Sequence, residues 1–476
     1  MVFFPFFPTS QSGPAFMSEE VVFLYDLITA LSRQCVSEAN GPWTRAKLMK
    51  YAWPGPARII VVDCTSGCCQ QDCYNAFFTI KVRKMRLLAL VGFMITFMQG
   101  CNGGGGTLAD TTDHLEGLDA VVSTESFSLT DDGTAAISEL LTYRMPGVNG
   151  GVVETTAVVL IPQGPPPENG YPVVAWGHGT TGVADRCAPS VTANLAGYAA
   201  YLDLYLQNGY AVVAPDYEGL GTEGPHPYLH LASEGRSLIY AVHAAVEQYP
   251  ALSNRYVAIG HSQGGHAALG AGEYALELSN ISLAGVVAIA PASHLREHNE
   301  LLSAIVGDES RSNADRVQAG VTQLLYSALV LNGVAAVYPD FEVSNAYGSN
   351  GSTLLDSLES QCTNGLSDIL LNSVTGTLFI SGSTNSIISS EVIDIPRVSQ
   401  YVVENEPAFR PTAAPIMLLQ GLLDETVLAQ STNKLSNLLF QANGSSPVLT
   451  EYPTADHGSI VPISAPAIFN FLADLF

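Results

Sequence analysis

From about residue 152 onward, the hydrophobic pattern alternates between two kinds of segment. Short apolar runs without helical spacing predict strands, and longer runs with apolar residues three to four apart predict helices. Seven runs predict strands: VVETTAVVLIP (152–162), YPVVAWGHG (171–179), GYAVVAPD (209–216), YVAIGHS (256–262), LAGVVAIAPAS (283–293), APIMLLQG (414–421) and PVLTEYP (447–453). Several are apolar throughout, which indicates burial on both faces of a mostly parallel sheet. The predicted fold class is therefore α/β, doubly wound.

One long segment, about 294–412, interrupts this alternation with helical patterns such as 314–331 and 352–362. An insertion of this size between successive core strands predicts a largely helical cap over the strand ends. Ligands of open parallel sheets bind at the carboxyl ends of the strands, so a cap would supply the walls of a substrate pocket. The alternative is an independent second domain behind a linker.

The stretch YVAIGHSQGGHAALGAGEYALEL (256–278) reads as strand, turn and helix, and its turn matches G-x-S-x-G around Ser262. Glycines on both sides allow a sharp turn that exposes a strained central serine. The N–H groups at the start of the helix would favour the oxyanion that forms when a serine attacks a carbonyl group. We therefore predict that Ser262 is a nucleophile, the alternative being a glycine-rich turn that matches by chance.

A nucleophilic serine needs a base, which in this arrangement comes last in the chain, after an orienting acid. Four histidines follow Ser262: His266, His294, His298 and His457. His457, in YPTADHGSI, is the one that lies in a loop just past the last predicted strand. We therefore predict that His457 is the base.

The predicted orienting acid is Asp424, which lies three residues past Gly421 at the end of a predicted strand in LLQGLLDETV. The loop has the form G-x-x-D-x-x-V, which is similar to that of hydrolases with such a serine. Glu425 and Asp456 are the alternatives.

Two backbone donors are predicted for the oxyanion. One is the N–H of Gln263, directly after the nucleophile. The second is expected in the glycine-rich loop WGHGTTG (176–182), whose backbone can approach a substrate closely. Thr181 is the preferred donor in this loop, and Thr180 is the alternative.

Charge divides the chain near residue 101. Residues 1–101 contain 9 of the 19 Lys and Arg residues and 6 of the 44 Asp and Glu residues, so residues 102–476 carry 10 basic and 38 acidic residues, a formal net charge of −28. Such an acidic surface repels nucleic acid and anionic lipid headgroups. The charge thus argues against a nucleic-acid partner and favours an extracytoplasmic enzyme.

A secretion signal is predicted at residues 85–101, MRLLALVGFMITFMQGC. Its apolar run of about a dozen residues is too short to span a membrane, which needs about 20. The small residue before Cys101 resembles a bacterial lipoprotein cleavage site, so we predict lipidation of Cys101 and anchoring to the cell envelope, with ordinary cleavage nearby as the alternative. The glycine-rich start of segment 102–142 predicts a flexible tether.

A signal sequence belongs at an N-terminus, yet residues 1–84 precede this one. We expect these residues to be an upstream extension, carried by a mis-assigned start, with natural translation beginning at Met85. The alternative is a zinc module. It is disfavoured because the cysteines of this segment lack paired C-x-x-C spacing: Cys35, Cys64, Cys68, Cys69 and Cys73.

Five motifs in this order carry a resemblance: AWGHGTTGVADRCAPS (175–190), GYAVVAPDYEGLG (209–221), GHSQGGHA (260–267), LLDETV (422–427) and YPTADHG (452–458). The chain resembles the secretory-lipase family of α/β-hydrolases, of the lipase A type, over residues 143–476. The resemblance implies a helical cap, a Ser262–Asp424–His457 triad, and an oxyanion donor in the loop that holds Thr181. It also implies no metal or other cofactor, and small-molecule or lipid ester substrates whose acyl chain lies under the cap.

A disulfide is predicted between Cys187 and Cys362, the two cysteines that remain past Cys101. Export to an oxidising compartment favours pairing, and members of the family carry cysteines at both places. Two unrelated buried thiols are the alternative.

The sequence thus predicts a secreted serine carboxylic ester hydrolase that works through an acyl-enzyme, with lipase and esterase activity both open. A peptidase or acyltransferase on the same scaffold, or a non-catalytic binding protein, is the alternative. The sequence does not indicate an oligomeric state.

Overall fold

The computed structural model describes residues 49–52, 59–65, 77–82, 117–129, 134–381, 383–412 and 414–476. The chain divides into two units, Met1–Gly105 and Gly106–Phe476. In the first unit, three described strands form an antiparallel sheet: β1 (Met49–Ala52), β2 (Ile59–Thr65) and β3 (Phe77–Val82). The predicted signal sequence and the predicted lipidation site, Cys101, lie outside the described residues.

The second unit is built on a sheet of nine described strands in the order β12-β11-β10-β9-β7-β8-β6-β5-β4. The strands are β4 (Val121–Ser126), β5 (Ala135–Pro146), β6 (Val152–Pro162), β7 (Tyr171–Gly177), β8 (Ala211–Pro215), β9 (Leu252–His261), β10 (Ser282–Ile289), β11 (Ile416–Gly421) and β12 (Val448–Tyr452). Strands β7 to β12 are parallel, whereas β4, β5 and β6 pair antiparallel at one edge. The predicted mostly parallel sheet is confirmed.

Helices cover both faces of this sheet. One face packs against α2 (Leu231–Gln248), α3 (Gln263–Tyr274) and α9 (Ala429–Asn443), and the other against α1 (Ala199–Gln207) and α10 (Ile460–Leu475). Neighbouring residues of one strand point to opposite faces of the sheet. Both faces of the central strands are therefore buried, as shown by Val173 and Val174 of β7, which belong to different core clusters. The predicted doubly wound α/β fold class is therefore confirmed.

The sheet begins earlier than the motifs indicate. The predicted domain start at residue 143 falls inside β5, and β4 lies wholly within the segment 102–142 that was assigned to the tether and N-terminal segment. Strand β4 has the sequence VVSTES and is only partly buried or exposed along its length. A short, polar edge strand gives a weak hydrophobic signal, which explains why the pattern does not predict it.

The segment between β10 and β11 contains five described helices: α4 (Leu295–Gly307), α5 (Asn313–Val337), α6 (Ser352–Ser357), α7 (Thr363–Ser381) and α8 (Pro396–Glu404). Their apolar side chains form a hydrophobic cluster separate from those on the two faces of the sheet. This cluster also includes Tyr228 and Leu229, from the loop before α2. Among the described helices, α5 is the one long and apolar enough to cross a membrane, but 72% of its most apolar window is buried inside the protein. We refer to α4–α8 and their connections as the cap.

Candidate active site

The G-x-S-x-G turn joins β9 to α3, and Ser262 occupies a strained backbone conformation with φ 59° and ψ −117°. Glycine is required on both sides because the chain is crowded there. A Cβ atom on Gly260 would lie 2.0 Å from the carbonyl oxygen of Gly264, and a Cβ atom on Gly264 would lie 1.9 Å from that of Gly177. The turn therefore holds Ser262 between the ends of β9 and β7.

Asp424 and His457 lie together in the loops after β11 and β12. Oδ2 of Asp424 lies 2.7 Å from Nδ1 of His457, while its Oδ1 accepts the N–H groups of Thr426 and Val427 at 2.8 Å each. A carboxylate can only accept here, so Nδ1 of His457 carries a proton and Nε2 is left free to act as a base. The Ser262 hydroxyl makes no hydrogen bond to any described residue. The hydrogen bonds of catalytic groups often tighten only in the complex with substrate.

The two alternatives for the acid serve other purposes. Glu425 is exposed and makes no hydrogen bond or ion pair with His457 or Ser262. Asp456 is exposed as well, and its Oδ1 accepts the N–H groups of Gly458 and Ser459 at the start of α10. Asp456 thus holds the turn that precedes α10, and Asp424 is the carboxylate that meets the histidine.

The sequence did not predict a role for His261, the residue before Ser262, yet this residue contacts the predicted base. Its Nε2 lies 2.7 Å from the backbone oxygen of His457, and its Nδ1 lies 2.9 Å from the hydroxyl of Tyr198. The carbonyl oxygen can only accept, so Nε2 donates and Nδ1 accepts the Tyr198 proton. Burial lowers the pKa of His261 to about 3, so the ring is neutral. The two imidazole rings are 4.6 Å apart, so the loop of His457 packs against the residue that precedes Ser262.

Gln263 is the first residue of α3, so its backbone N–H has no acceptor within the helix. Its side chain is held by two buried groups. Nε2 donates to Oε1 of Glu234 at 2.7 Å and to Nε2 of His226 at 3.0 Å. His226 can accept this bond because its Nδ1 donates to the backbone oxygen of Glu218 at 2.8 Å. The side chain of Gln263, the residue predicted to supply an oxyanion donor, is thus held in place by Glu234 and His226.

His266 lies one turn further along α3, in the same buried network. Its Nδ1 is 2.7 Å from Oε2 of Glu234, and its Nε2 is 2.9 Å from the backbone oxygen of Asn405, just past the cap helix α8. Both partners can only accept, so both ring nitrogens carry protons and His266 is a cation. Burial opposes this charge, but Glu234 raises the pKa of His266 above its ordinary value. His266 therefore connects α3, the helix that follows the G-x-S-x-G turn, to the end of the cap; the turn, Gly260–Gly264, is referred to below as the elbow.

The glycine-rich loop after β7 packs against the elbow at Gly177 and Gly179. Further along this loop, the backbone oxygen of Thr181 accepts the N–H of Thr363 from the cap at 2.9 Å, and the hydroxyl of Thr180 lies 2.9 Å from that of Tyr228. The side-chain oxygen of Thr181 is buried without a partner among the described residues. The loop is thus fixed to both the elbow and the cap.

A disulfide joins Cys187 to Cys362, and the sulfur of Cys187 and the Cα of Cys362 lie 2.9 and 3.2 Å from the position of a Cβ atom on Gly182. Gly182 has φ 136°, a conformation that side chains disfavour. The disulfide therefore connects the segment after the predicted oxyanion loop to the start of cap helix α7.

A cavity of roughly 740 Å³, part of it open to solvent, lies between the cap and the elbow and has Ser262 in its wall. The described residues that line it do not include Gln263, Thr181 or His457. Half of the described residues in its wall are aliphatic, and those from the cap are Leu295, Leu302, Val330, Val392, Ile393 and Val398. Among the described residues, no group of three His, Cys, Asp or Glu side chains is arranged to hold a metal ion.

Comparison with solved structures shows the same fold. Lipase A of Candida antarctica in its closed state superposes with a TM-score of 0.59 over 75% of this chain and 82% of that chain, at 15% identity. The ligand-bound form of the rice cell wall degrading esterase LipA from Xanthomonas oryzae superposes with a TM-score of 0.56 over 75% of this chain and 97% of that chain, at 20% identity.

Two curated relatives come from Candida albicans. Lipase 5 is 23% identical over 311 residues, and Lipase 4 is 24% identical over 315 residues. Each alignment covers 61% of this chain and 62% of the relative, so the chain matches less than two thirds of these proteins. The family model for secretory lipases matches residues 188–476, which is more than half of the chain and holds all three predicted triad residues. The chain therefore belongs to the secretory lipase family.

Proposed function

We propose that this protein is a secreted serine hydrolase that cleaves carboxylic esters, with Ser262 as nucleophile, His457 as base and Asp424 as orienting acid. One observation carries the proposal. The 2.7 Å contact between Asp424 and His457 fixes a tautomer with a free Nε2, and the loop of His457 is hydrogen-bonded to His261, the residue before the strained serine. This arrangement supports a catalytic role for Ser262 over a chance G-x-S-x-G match.

In the proposed reaction, the Ser262 hydroxyl attacks the ester carbonyl carbon while His457 takes up its proton. Negative charge then develops on the carbonyl oxygen, where the free N–H of Gln263 and a second N–H from the loop of Thr181 would stabilise it. His457, held by Asp424, returns the proton to the departing alcohol and leaves an acyl-enzyme. Water activated by His457 hydrolyses this intermediate and restores Ser262.

The aliphatic wall of the cavity supports substrates with an apolar part next to the scissile bond, such as an acyl chain under the cap. A p-nitrophenyl ester series of graded acyl length, run beside tributyrin and triolein emulsions, measures chain-length preference and separates esterase from lipase activity. Ser262→Ala should reduce kcat roughly 10⁶-fold without loss of folding. Ser445→Ala, at an exposed serine in the loop before β12, is the matched control and should retain activity.

Three outcomes would contradict this function. An active Ser262→Ala enzyme would exclude the serine mechanism. Hydrolysis of amides without ester hydrolysis by the wild-type protein would indicate a peptidase. Absence of both, together with no labelling of Ser262 by a fluorophosphonate, would favour a non-catalytic binding protein on this fold.

We also propose that the protein is exported through the signal at 85–101 and anchored to the envelope by lipid on Cys101. Membership of the secretory lipase family supports export. The mass of the mature N-terminal peptide from the native organism tests the anchor. A diacylglycerol-modified Cys101 is expected, and an unmodified N-terminus beyond Cys101, or any peptide from residues 2–84, would contradict the proposed processing.

A further inference from the structure

Polar side chains without partners line the cavity close to Ser262. Oγ of Ser293 and Nε2 of His298 are buried and make no hydrogen bond to any described residue. The hydroxyl of Tyr326, also in the cavity wall, likewise bonds to no described residue. Some other polar groups in the wall have partners: Gln323 donates to Oδ1 of Asn299 at 3.1 Å, and the hydroxyl of Tyr228 lies 2.9 Å from that of Thr180. A buried polar group without a partner destabilises the folded protein, and a ligand atom that bonds to it can recover this free energy.

These three side chains lie at the triad end of the cavity. Ser293 follows Ala292, whose N–H donates to the backbone oxygen of Ser262 at 3.1 Å. His298 is on cap helix α4 and Tyr326 on cap helix α5, and the Asp424 carboxylate acts electrostatically on both. The cap thus carries hydrogen-bonding groups within electrostatic range of Asp424, and its aliphatic residues line other parts of the wall.

The charge state of the three groups limits what they can bind. Burial lowers the pKa of His298 to about 4, against the opposing effect of Asp424, so its ring is neutral near pH 7. Burial, together with Asp424, raises the pKa of Tyr326 to about 12, so its hydroxyl keeps its proton. Ser293 is uncharged as well. Neutral donors and acceptors suit an uncharged oxygen, and they offer no counter-charge to an ionic group.

The oxygen in question is distinct from the ester carbonyl. The carbonyl oxygen of the reacting ester is directed to Gln263 and to the loop of Thr181, and neither residue is in the cavity wall. We propose that Ser293, His298 and Tyr326 form a subsite for a hydroxyl or carbonyl oxygen that the substrate carries near its scissile bond. The preferred substrates are then oxygenated esters, either hydroxyacyl esters or partial esters of polyols. This inference rests on the proposed ester hydrolysis and names the substrate class of the same site.

Matched ester pairs test the subsite and locate the oxygen. In the acyl arm, kcat/KM for ethyl 3-hydroxybutyrate is divided by that for ethyl butyrate. In the alcohol arm, kcat/KM for 2-hydroxyethyl butyrate is divided by that for ethyl butyrate. The wild-type protein should favour the oxygenated ester about tenfold in at least one arm, as expected for one recovered hydrogen bond. Each ratio is independent of the fraction of active enzyme.

Two variants assign the preference to the cap. His298→Leu and Tyr326→Phe should each bring the ratio close to one, while His243→Leu, at a histidine of α2 outside the cavity, should keep the wild-type ratio. A ratio of one or less in both arms for the wild-type protein would overturn the subsite, and this result needs no variant to fold. A tenfold ratio that persists in both cap variants would overturn the assignment. Failure to hydrolyse even ethyl butyrate and p-nitrophenyl esters would instead refute the proposed function, and the subsite with it.

Discussion

Nδ1 of His266 lies 2.7 Å from Oε2 of Glu234, and both side chains are buried. The other oxygen of this carboxylate accepts the side-chain amide of Gln263, so the ion pair and the proposed oxyanion donor share one acceptor. A buried ion pair is expensive to desolvate and is weak evidence for stability by itself. Its position beneath Gln263 and beside Asn405 indicates that it fixes the geometry of the elbow.

Neutralising one member of this pair should impair turnover. Glu234→Gln and His266→Gln each leave the other member of the pair buried and charged without its partner, and either change can displace Gln263. We expect kcat to fall roughly 10–100-fold with little change in KM. The double variant removes both charges, retains amide hydrogen bonding, and should recover part of kcat. Steady-state kinetics per fluorophosphonate-titrated site measure this effect separately from folding.

The His243–Glu247 pair of α2, with Nε2 and Oε1 3.5 Å apart, provides a matched control because it is more exposed and makes no hydrogen bond to the elbow. His243→Gln and Glu247→Gln should leave kcat unchanged. If Glu234→Gln and His266→Gln lowered only the melting temperature, and kcat per titrated site stayed at the wild-type value, the pair would have a structural role alone.

The hydrogen bond from His261 to the backbone of His457 should also support catalysis. His261→Phe preserves an aromatic ring but removes the donor, so the loop of the base loses an anchor and kcat should fall about tenfold. Tyr198→Phe, which removes only the outer hydrogen bond to His261, should have a smaller effect. Tyr210→Phe, at a partly buried tyrosine, is the control. Equal kcat values for all three variants would contradict a positioning role for His261.

Local steric requirements explain what could be predicted from sequence. Gly260 and Gly264 are needed because a Cβ atom at either position would collide with nearby backbone atoms. This requirement explains why the G-x-S-x-G motif around Ser262 can be recognised in the sequence. Strand order then leads to Asp424 and His457, since both follow predicted strands. The supporting contacts leave no such trace. His261 and His457 are 196 residues apart, and His266 and Asn405 are 139 apart, so only the folded chain shows that they meet.

Replacing the proposed acid should be less damaging than replacing the base. Asp424→Asn can still accept the N–H groups of Thr426 and Val427, but its amide would oppose the Nδ1 proton of His457, so we expect a loss in kcat of roughly 10⁴-fold. His457→Ala should lose roughly 10⁶-fold. Glu425→Gln, one residue further along, is the control and should remain active. A silent Asp424→Asn beside an inactive Glu425→Gln would reassign the acid.

Acid sensitivity should depend in part on His230, whose Nδ1 accepts the N–H of Ser233 at the start of α2. Burial lowers the pKa of His230 from 6.5 to about 4. The unfolded chain therefore takes up this proton first, so the contribution of neutral His230 to stability is complete above pH 6.5 and is lost as the pH falls towards 4. Asp216 acts in the opposite sense, since burial raises its pKa to about 6.

His230→Asn isolates this contribution because asparagine is also a good helix cap and does not titrate. Calorimetry at pH 7.5 and pH 5 should show a smaller decrease in melting temperature for the variant than for the wild-type protein, by roughly 2–4 °C. The two proteins should behave alike above pH 7. A variant with the same decrease between these pH values would show that His230 does not protonate on unfolding.

The disulfide between Cys187 and Cys362 should stabilise the protein chiefly by restricting the unfolded chain, since it closes a loop across 175 residues of sequence. On the chain-entropy model such a loop is worth roughly 5 kcal/mol, less any strain in the folded state. Loss of the bond should also loosen the cap, because Cys362 adjoins Thr363, which donates to Thr181. Urea unfolding of the oxidised protein and of the Cys187→Ser/Cys362→Ser variant measures the difference in free energy of unfolding. Either of two results would contradict a stabilising bridge: two free thiols in the denatured, non-reduced mature protein, or equal unfolding midpoints for the two proteins. Faster heat inactivation after reduction would support a cap held over the active site by this bond.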